Sequence, residues 1–224
     1  MPAVCYQYYT PISASIPEVC AQEHALGRAL LRCGLDELYG ISLSSDRLEE
    51  ELSIGENGKP YLKNYPQIQF NISHCDRLAA CAFDAGPVGV DVELPGYFAE
   101  ILIRKALSDE EKDFLERMGT TKELRQEWFF RFWTLKEAFV KMTGTGVDAP
   151  LKEISFSFLP APVVPAAQKS AERARTALPE KPVFLFLDTS ASNQVSYHIE
   201  CSVPGTRCFQ QMLGSGHILS ISCR

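Results

Sequence analysis

Asp91 and Glu93 are the residues of this sequence most suited to chemistry. They sit in the stretch Pro87-Val88-Gly89-Val90-Asp91-Val92-Glu93. Side chains alternate along a strand, so Val88, Val90 and Val92 share one face, and Gly89, Asp91 and Glu93 share the other. Carboxylates are poor strand residues, yet these stand in a run otherwise chosen for burial. Two of them on one face suit a hard divalent cation, with Gly89 leaving that face open for a ligand. The same pattern suits a half-exposed strand whose acidic face meets water. The seven residues leave both readings open.

Three further stretches carry candidates. In Asn57-Gly58-Lys59-Pro60 the Asn-Gly pair marks a tight turn, and Pro60 pushes Lys59 toward an extended backbone from which its side chain projects. From those residues alone, a solvated lysine on a surface hairpin is the favoured reading. In Ile68-Gln69-Phe70-Asn71-Ile72-Ser73-His74 the alternation is that of a strand, with Asn71 and Ser73 on its polar face and His74 at its end. In the run from Trp133 to Lys141, Glu137 lies one helical turn beyond Trp133 and Lys141 one turn beyond Glu137. An exposed Glu–Lys pair at that spacing contributes only ~0.2–0.5 kcal/mol. The apolar surroundings favour charges that need a partner or a metal.

These candidates need elements to hold them. A strand is expected over 3–9, then a helix from Pro17 to Cys33, capped by Ser13 or Ser15 and ended by Gly34. Ser45 is the expected cap of a short turn. A hairpin over 54–62 precedes strands at 68–74 and 78–83. The strand of Asp91 and Glu93 would complete an antiparallel three-stranded meander with them. Phe98–Leu107 reads as an amphipathic helix, and Ser108-Asp109-Glu110-Glu111 as a capping box that starts another, to about Met118. The longest helix runs from Thr121 to Thr143, with Leu124, Trp128, Phe132, Leu135, Phe139 and Met142 as its stripe. Strands are expected at 150–159, 183–187, 195–203, 207–212 and 217–223. The Ala/Pro-rich run 160–182 reads as a surface insertion with a short helix over Gln168–Leu178.

Composition narrows the function. The chain has 224 residues and a formal net charge of −6, so broad nucleic-acid binding is not expected. No apolar run approaches the ~20 residues of a membrane helix, so no membrane partner is expected. The first residues lack the basic-then-apolar pattern of a signal peptide. The eight cysteines include no Cys-x-x-Cys pair and read as reduced thiols in a cytoplasmic protein.

Taken together, Gly58-Lys59-Pro60, Phe70-Asn71-Ile72-Ser73-His74, Gly89-Val90-Asp91-Val92-Glu93 and Trp133-Thr134-Leu135-Lys136-Glu137-Ala138-Phe139-Val140-Lys141 resemble, in order and spacing, the 4′-phosphopantetheinyl transferases of the surfactin-synthetase-activating type. The resemblance runs from about residue 54 to 146. It implies an α+β fold of two similar, pseudo-twofold-related halves with antiparallel sheets, 1–86 and 87–224, and an active site in the cleft between them. It implies a monomer that moves the phosphopantetheine arm of coenzyme A onto a serine of an acyl or peptidyl carrier protein, with Mg²⁺, releasing adenosine 3′,5′-bisphosphate. Asp91, Glu93 and Glu137 match the family's metal carboxylates, with Glu111 a looser match. Lys59, Pro60, Ser73, His74 and Lys141 match residues that hold coenzyme A, His74 at the 3′-phosphate. Asp91, Glu137 and Lys141 are the expected catalytic groups, with Glu137 or a metal-bound water as base.

One departure stands out. Where members place basic residues for the nucleotide end of coenzyme A, this chain has Gln22-Glu23-His24, with Arg28 the nearest substitute. A local basic patch for an acidic carrier protein falls at Arg104, Lys105 and Lys112, which read equally as a solvated helix face. Two other readings remain open: an idle coenzyme A or carrier-binding module of the same fold, and a metal-dependent phosphohydrolase.

Overall fold

A computed structural model describes residues 2–146, 149–160, 181–187 and 197–224. The chain opens with strand β1 (Ala3–Tyr8) and helix α1 (Ile16–Tyr39). Pro17 stands in the first turn of α1, as its fixed φ favours. The helix does not stop at Gly34. It continues to Gly40, whose left-handed φ of 67° forms the C-cap. Gly34 is internal, and a Cβ there would lie 2.1 Å from the Phe83 ring. It is glycine so that α1 can lie against the sheet beneath.

Helix α2 (Ser45–Glu51) is capped by Ser44, one residue before the expected cap, whose hydroxyl accepts from Arg47 N–H. The hairpin of β2 (Leu52–Ile54) and β3 (Pro60–Leu62) turns at Gly58, with φ of +76°. Strands β4 (Gln69–Cys75) and β5 (Leu78–Asp84) then pair antiparallel.

The next strand departs from the expected meander. Strand β6 (Val88–Glu93) does not pair with β5 but joins a second sheet. The helices follow the sequence reading closely. They are α3 (Glu100–Ala106), α4 (Asp109–Met118), which has the Ser108/Glu111 capping box, and α5 (Lys122–Thr143), capped by the Thr121 hydroxyl. A 3₁₀ turn at Leu151–Glu153 takes the start of the expected strand, and β7 covers Phe156–Pro160. Strands β8 (Val183–Phe186), β9 (Tyr197–Cys201), β10 (Arg207–Met212) and β11 (Ile218–Cys223) follow. The expected helix over 168–178 lies outside the described residues. Among the described residues no helix is long and apolar enough to cross a membrane.

The two main sheets have the same plan. One runs β4-β5-β1-β8, the other β10-β11-β6, with all pairs antiparallel. In each, a first strand leads through helices to a later hairpin, and the hairpin's second strand returns to pair with the first. This is the α+β fold of two similar halves that the motifs implied. Alternation explains the layering. Cys5, Ala79, Cys81 and Phe83 face Leu30, Leu31 and Leu35 of α1. Val4, Leu78, Ala80 and Ala82 face the other sheet, meeting Val88, Val90 and Val92 of β6 with Leu219 and Ile221. A third cluster gathers Trp128, Phe132 and Phe139 of α5 with Phe156, Phe158 and Ile199. Leu124, at the start of the expected stripe, stays 38% exposed.

Gly34→Ala tests the α1 contact. A methyl pressed against a buried ring is an overpacking change that costs about 1–3 kcal/mol. Chemical denaturation should show that loss, and an unchanged midpoint would contradict the contact.

Candidate active site

The acidic face of β6 does not meet water. It meets helix α5, which runs antiparallel to it. A Cβ on Gly89 would lie 2.0 Å from the Ala138 carbonyl oxygen and 2.4 Å from the Met142 nitrogen. Gly89 therefore admits the helix backbone, rather than leaving room for a ligand as expected. That close approach sets Lys141 beside Asp91, whose Oδ1 lies 2.6 Å from the Lys141 ammonium. Ser73, from β4, completes the contact: its hydroxyl donates to Asp91 Oδ1 at 3.1 Å and accepts from Lys141 at 3.0 Å. Two residues along, Glu93 accepts from Trp133 and from the Cys75 thiol, the latter at 3.2 Å. Trp133, Glu137 and Lys141 thus lie along β6 one helical turn apart.

The carboxylates press on one another. Burial raises the pKa of Asp91, against the pull of Lys141 and Ser73. Glu93 is raised by burial and then by Asp91. Glu137 is raised by burial, then by Asp91 and Glu93, while Lys141 lowers it. Asp91 Oδ2 is buried with no hydrogen-bond partner. An unpartnered buried carboxylate oxygen among like charges is poised for a cation. The donor set is hard oxygen, which suits Mg²⁺. The side chains are not closed around an ion: among the described residues no three metal-ligating groups are drawn together into a centre, and Lys141 rests on Asp91.

A groove of about 280 Å³, open at its mouth, lies over this cluster, with Asn57, Lys59, Pro60, Asn71, Glu137 and Lys141 in its wall. Its size is at the small end of ligand sites. Lys59 does not simply project from its turn. Its ammonium donates to the carbonyls of Val88 at 2.8 Å and Met142 at 3.2 Å, tying β6 to the end of α5. Burial pulls its pKa down to about 8. Asn71, which stands in the same motif as Ser73 and His74, accepts from Val90 N–H at 2.9 Å and lines the groove. Its placement on the face of Ser73 was the available signal. His74 sits beyond them, its Nδ1 3.2 Å from Glu23 Oε2 on α1. Burial lowers its pKa, and Glu23 opposes that shift.

Glu111 is engaged elsewhere. It is 1% exposed and lies 2.8 Å from the equally buried Lys136 ammonium. One of its oxygens accepts from Ser108 N–H and the other from Phe156 N–H. Lys136 also donates to the carbonyls of Leu151 and Ile154. Glu111 is therefore a joint between α4, α5 and β7, and the looser metal match is replaced by a buried ion pair. Of the expected basic patch, Lys112 pairs with Asp109 on its own helix at 2.8 Å.

Two outcomes follow from these charges. Breaking a buried pair at one end is costly, so Glu111→Ala should lower unfolding free energy by about 3–5 kcal/mol. Urea denaturation checks it, and a loss of activity without loss of stability would return Glu111 to the metal. The raised carboxylates bind more protons folded than unfolded. Their stabilising effect is therefore full below the ordinary carboxylate range of ~4 and is lost as pH climbs through the raised folded values. Asp91→Asn should reduce the fall in melting temperature between acid and neutral pH in metal-free buffer. Equal slopes for variant and parent would refute the raised, buried Asp91 carboxyl.

Sequence comparison bears on the same residues. Residues 87–181 match the family model of the 4′-phosphopantetheinyl transferase superfamily. The chain is 30% identical over 135 residues to the 4′-phosphopantetheinyl transferase Sfp of Bacillus subtilis, covering 60% of this chain and 58% of that protein. It is 33% identical over 140 residues to HetI of Nostoc, covering 60% and 56%. It is 30% identical over 153 residues to the human L-aminoadipate-semialdehyde dehydrogenase-phosphopantetheinyl transferase, covering 60% and 46%. The match thus spans about half the length of these relatives. A solved holo-[acyl-carrier-protein] synthase from Thermotoga maritima aligns over 61% of each chain at 20% identity with a TM-score of 0.34. The stretch that resembles the 4′-phosphopantetheinyl transferase superfamily is thus the one that carries strand β6 and the Glu137–Lys141 turn of α5.

Proposed function

We propose that this protein transfers the 4′-phosphopantetheine group of coenzyme A to a serine hydroxyl of an acyl or peptidyl carrier protein. The observation that carries the reading is Lys141. One ammonium joins the buried Asp91, Ser73 and the wall of a groove that also holds Glu137. A pyrophosphate entering that groove meets a cation at the depth where its bridging charge must be neutralised.

Asp91, Glu93 and Glu137 are the residues that would hold Mg²⁺, with Asp91 Oδ2 free to receive it. The ion supplies neutralisation of the pyrophosphate and orientation of its oxygens. The chain's own residues do the rest. Lys141 exchanges Asp91 for a phosphate oxygen, which it can do without leaving the groove. Lys59 holds the start of β6 to the end of α5 and so fixes the carboxylates relative to the groove wall. The serine oxygen bonds to the phosphorus that carries pantetheine, and the bond from that phosphorus to the adenosine 3′,5′-bisphosphate oxygen breaks. Glu137 is the group proposed to take the serine proton, since burial and its neighbours raise its affinity for one.

The test uses intact-mass spectrometry. The full chain is incubated with coenzyme A, Mg²⁺ and apo carrier proteins of fatty-acid, polyketide and peptide synthesis, and the added arm is sought. Modification that disappears in a folded Asp91→Ala variant, by at least about a hundredfold, supports the reading. Tight coenzyme A binding without modification of any carrier would leave an idle binding module. Breakdown of coenzyme A without a carrier would mean a phosphohydrolase.

A further inference from the structure

One residue beyond Ser73, outside the wall of the groove, stands a charge of unexpected sign. Ser73 faces Asp91 and Lys141, and the next residue of β4, His74, lies against α1 with 36% of its side chain exposed. There Glu23 meets it. The Glu23 side chain is 11% exposed, lies 3.2 Å from His74 Nδ1, and accepts from the Tyr9 hydroxyl at 2.5 Å. His24 packs edge-on to His74, with ring centroids 5.8 Å apart. The neighbouring polar residues of α1 are engaged. Gln22 bonds Ile12 N–H and the Thr10 carbonyl, and Arg28 lies 3.3 Å from Glu49.

We propose that Glu23 makes this protein accept a phosphopantetheine donor whose adenosine lacks the 3′-phosphate at least as well as coenzyme A itself. The inference rests on the transfer reaction proposed above, with the adenosine ribose lying at His74. A phosphate monoester brings between one and two negative charges at neutral pH. At His74 it would meet a carboxylate that already holds the imidazole and is itself held by Tyr9. A ribose hydroxyl meets no such conflict, because it can donate to the Glu23 carboxylate, which only accepts. Dinucleotide sites divide along the same line: an acid accepts from a free ribose hydroxyl, whereas a cation is needed when that hydroxyl is phosphorylated. The chemistry of transfer is unchanged. The serine oxygen displaces adenosine 5′-phosphate from the same phosphorus, and Glu137 takes the same proton.

Isothermal titration of the full chain with coenzyme A and with 3′-dephospho-coenzyme A tests this without turnover. The parent should bind the dephospho form as tightly as coenzyme A or more tightly. Glu23→Gln keeps the shape and the Tyr9 bond but removes the charge, and should shift the affinity ratio toward coenzyme A by about tenfold or more. Adding His74→Ala to that variant should reverse the shift. Should Glu23→Gln fold poorly, Glu23→Ser removes the same charge, and the parent's own ratio needs no variant. A parent that prefers coenzyme A by tenfold, or a ratio indifferent to the charge at Glu23, overturns the role of Glu23 and leaves the transfer reaction standing. Binding of neither ligand by the parent overturns both.

Discussion

Everything in this structure depends on what is done with the open edge of β6. Among the described residues that strand pairs with β11 on one side only, and its residues are buried. A buried, unpaired amide costs roughly 1–3 kcal/mol, so several along one strand would be prohibitive. Among the described residues no strand supplies the partners. Side chains do: Lys59 takes the Val88 carbonyl, Asn71 the Val90 amide and Ser73 the Val92 amide. Three residues of the first half thereby stand in for a missing strand. In doing so they are drawn against Asp91 and Lys141. The seam that joins the halves and the wall of the groove are the same side chains.

This explains why the motif residues are hard to divide into structural and chemical ones. Ser73 closes the edge of β6 and also touches both members of the Asp91–Lys141 pair. Lys59 lines the groove while its ammonium fastens two backbone carbonyls. Glu111 and Lys136 illustrate the opposite case. Their charges are fully used by each other and by nearby backbone, so they contribute a rigid joint and nothing to the groove.

Local signals carried the helices of the second half well. The Ser108/Glu111 box, the Thr121 cap and the aromatic stripe of α5 are short-range features, and each forms where the residues placed it. Long-range choices were illegible. An alternating strand looks the same whichever sheet it joins, so β6 read as the third strand of a meander rather than the edge of a second sheet. Gly34 and Gly89 read as a helix stop and an opening for a ligand. Both are in fact points of close approach, one to the Phe83 ring and one to the backbone of α5, and a glycine does not announce what lies beyond it. The superfamily motifs named most of the groove's residues. They included Asn71 but not its role, which depends on an amide of a distant strand, and they missed the Glu23–His74 pair, which joins α1 to the end of β4.

One strand crosses the division between the halves. The first sheet is finished by β8, which lies against β1 with Ala3 opposite Phe186. Nearly the whole chain separates those partners. On a ribosome delivering residues from the N-terminus, the first half emerges with β1 bare on that side and waits for most of the remaining sequence before its last strand arrives. Contacts of such long separation are the slow ones to form, and an uncovered strand edge is sticky in the interval. Assembly of the first half is therefore bound to the arrival of the second, and neither can be cut away and be expected to keep its sheet intact.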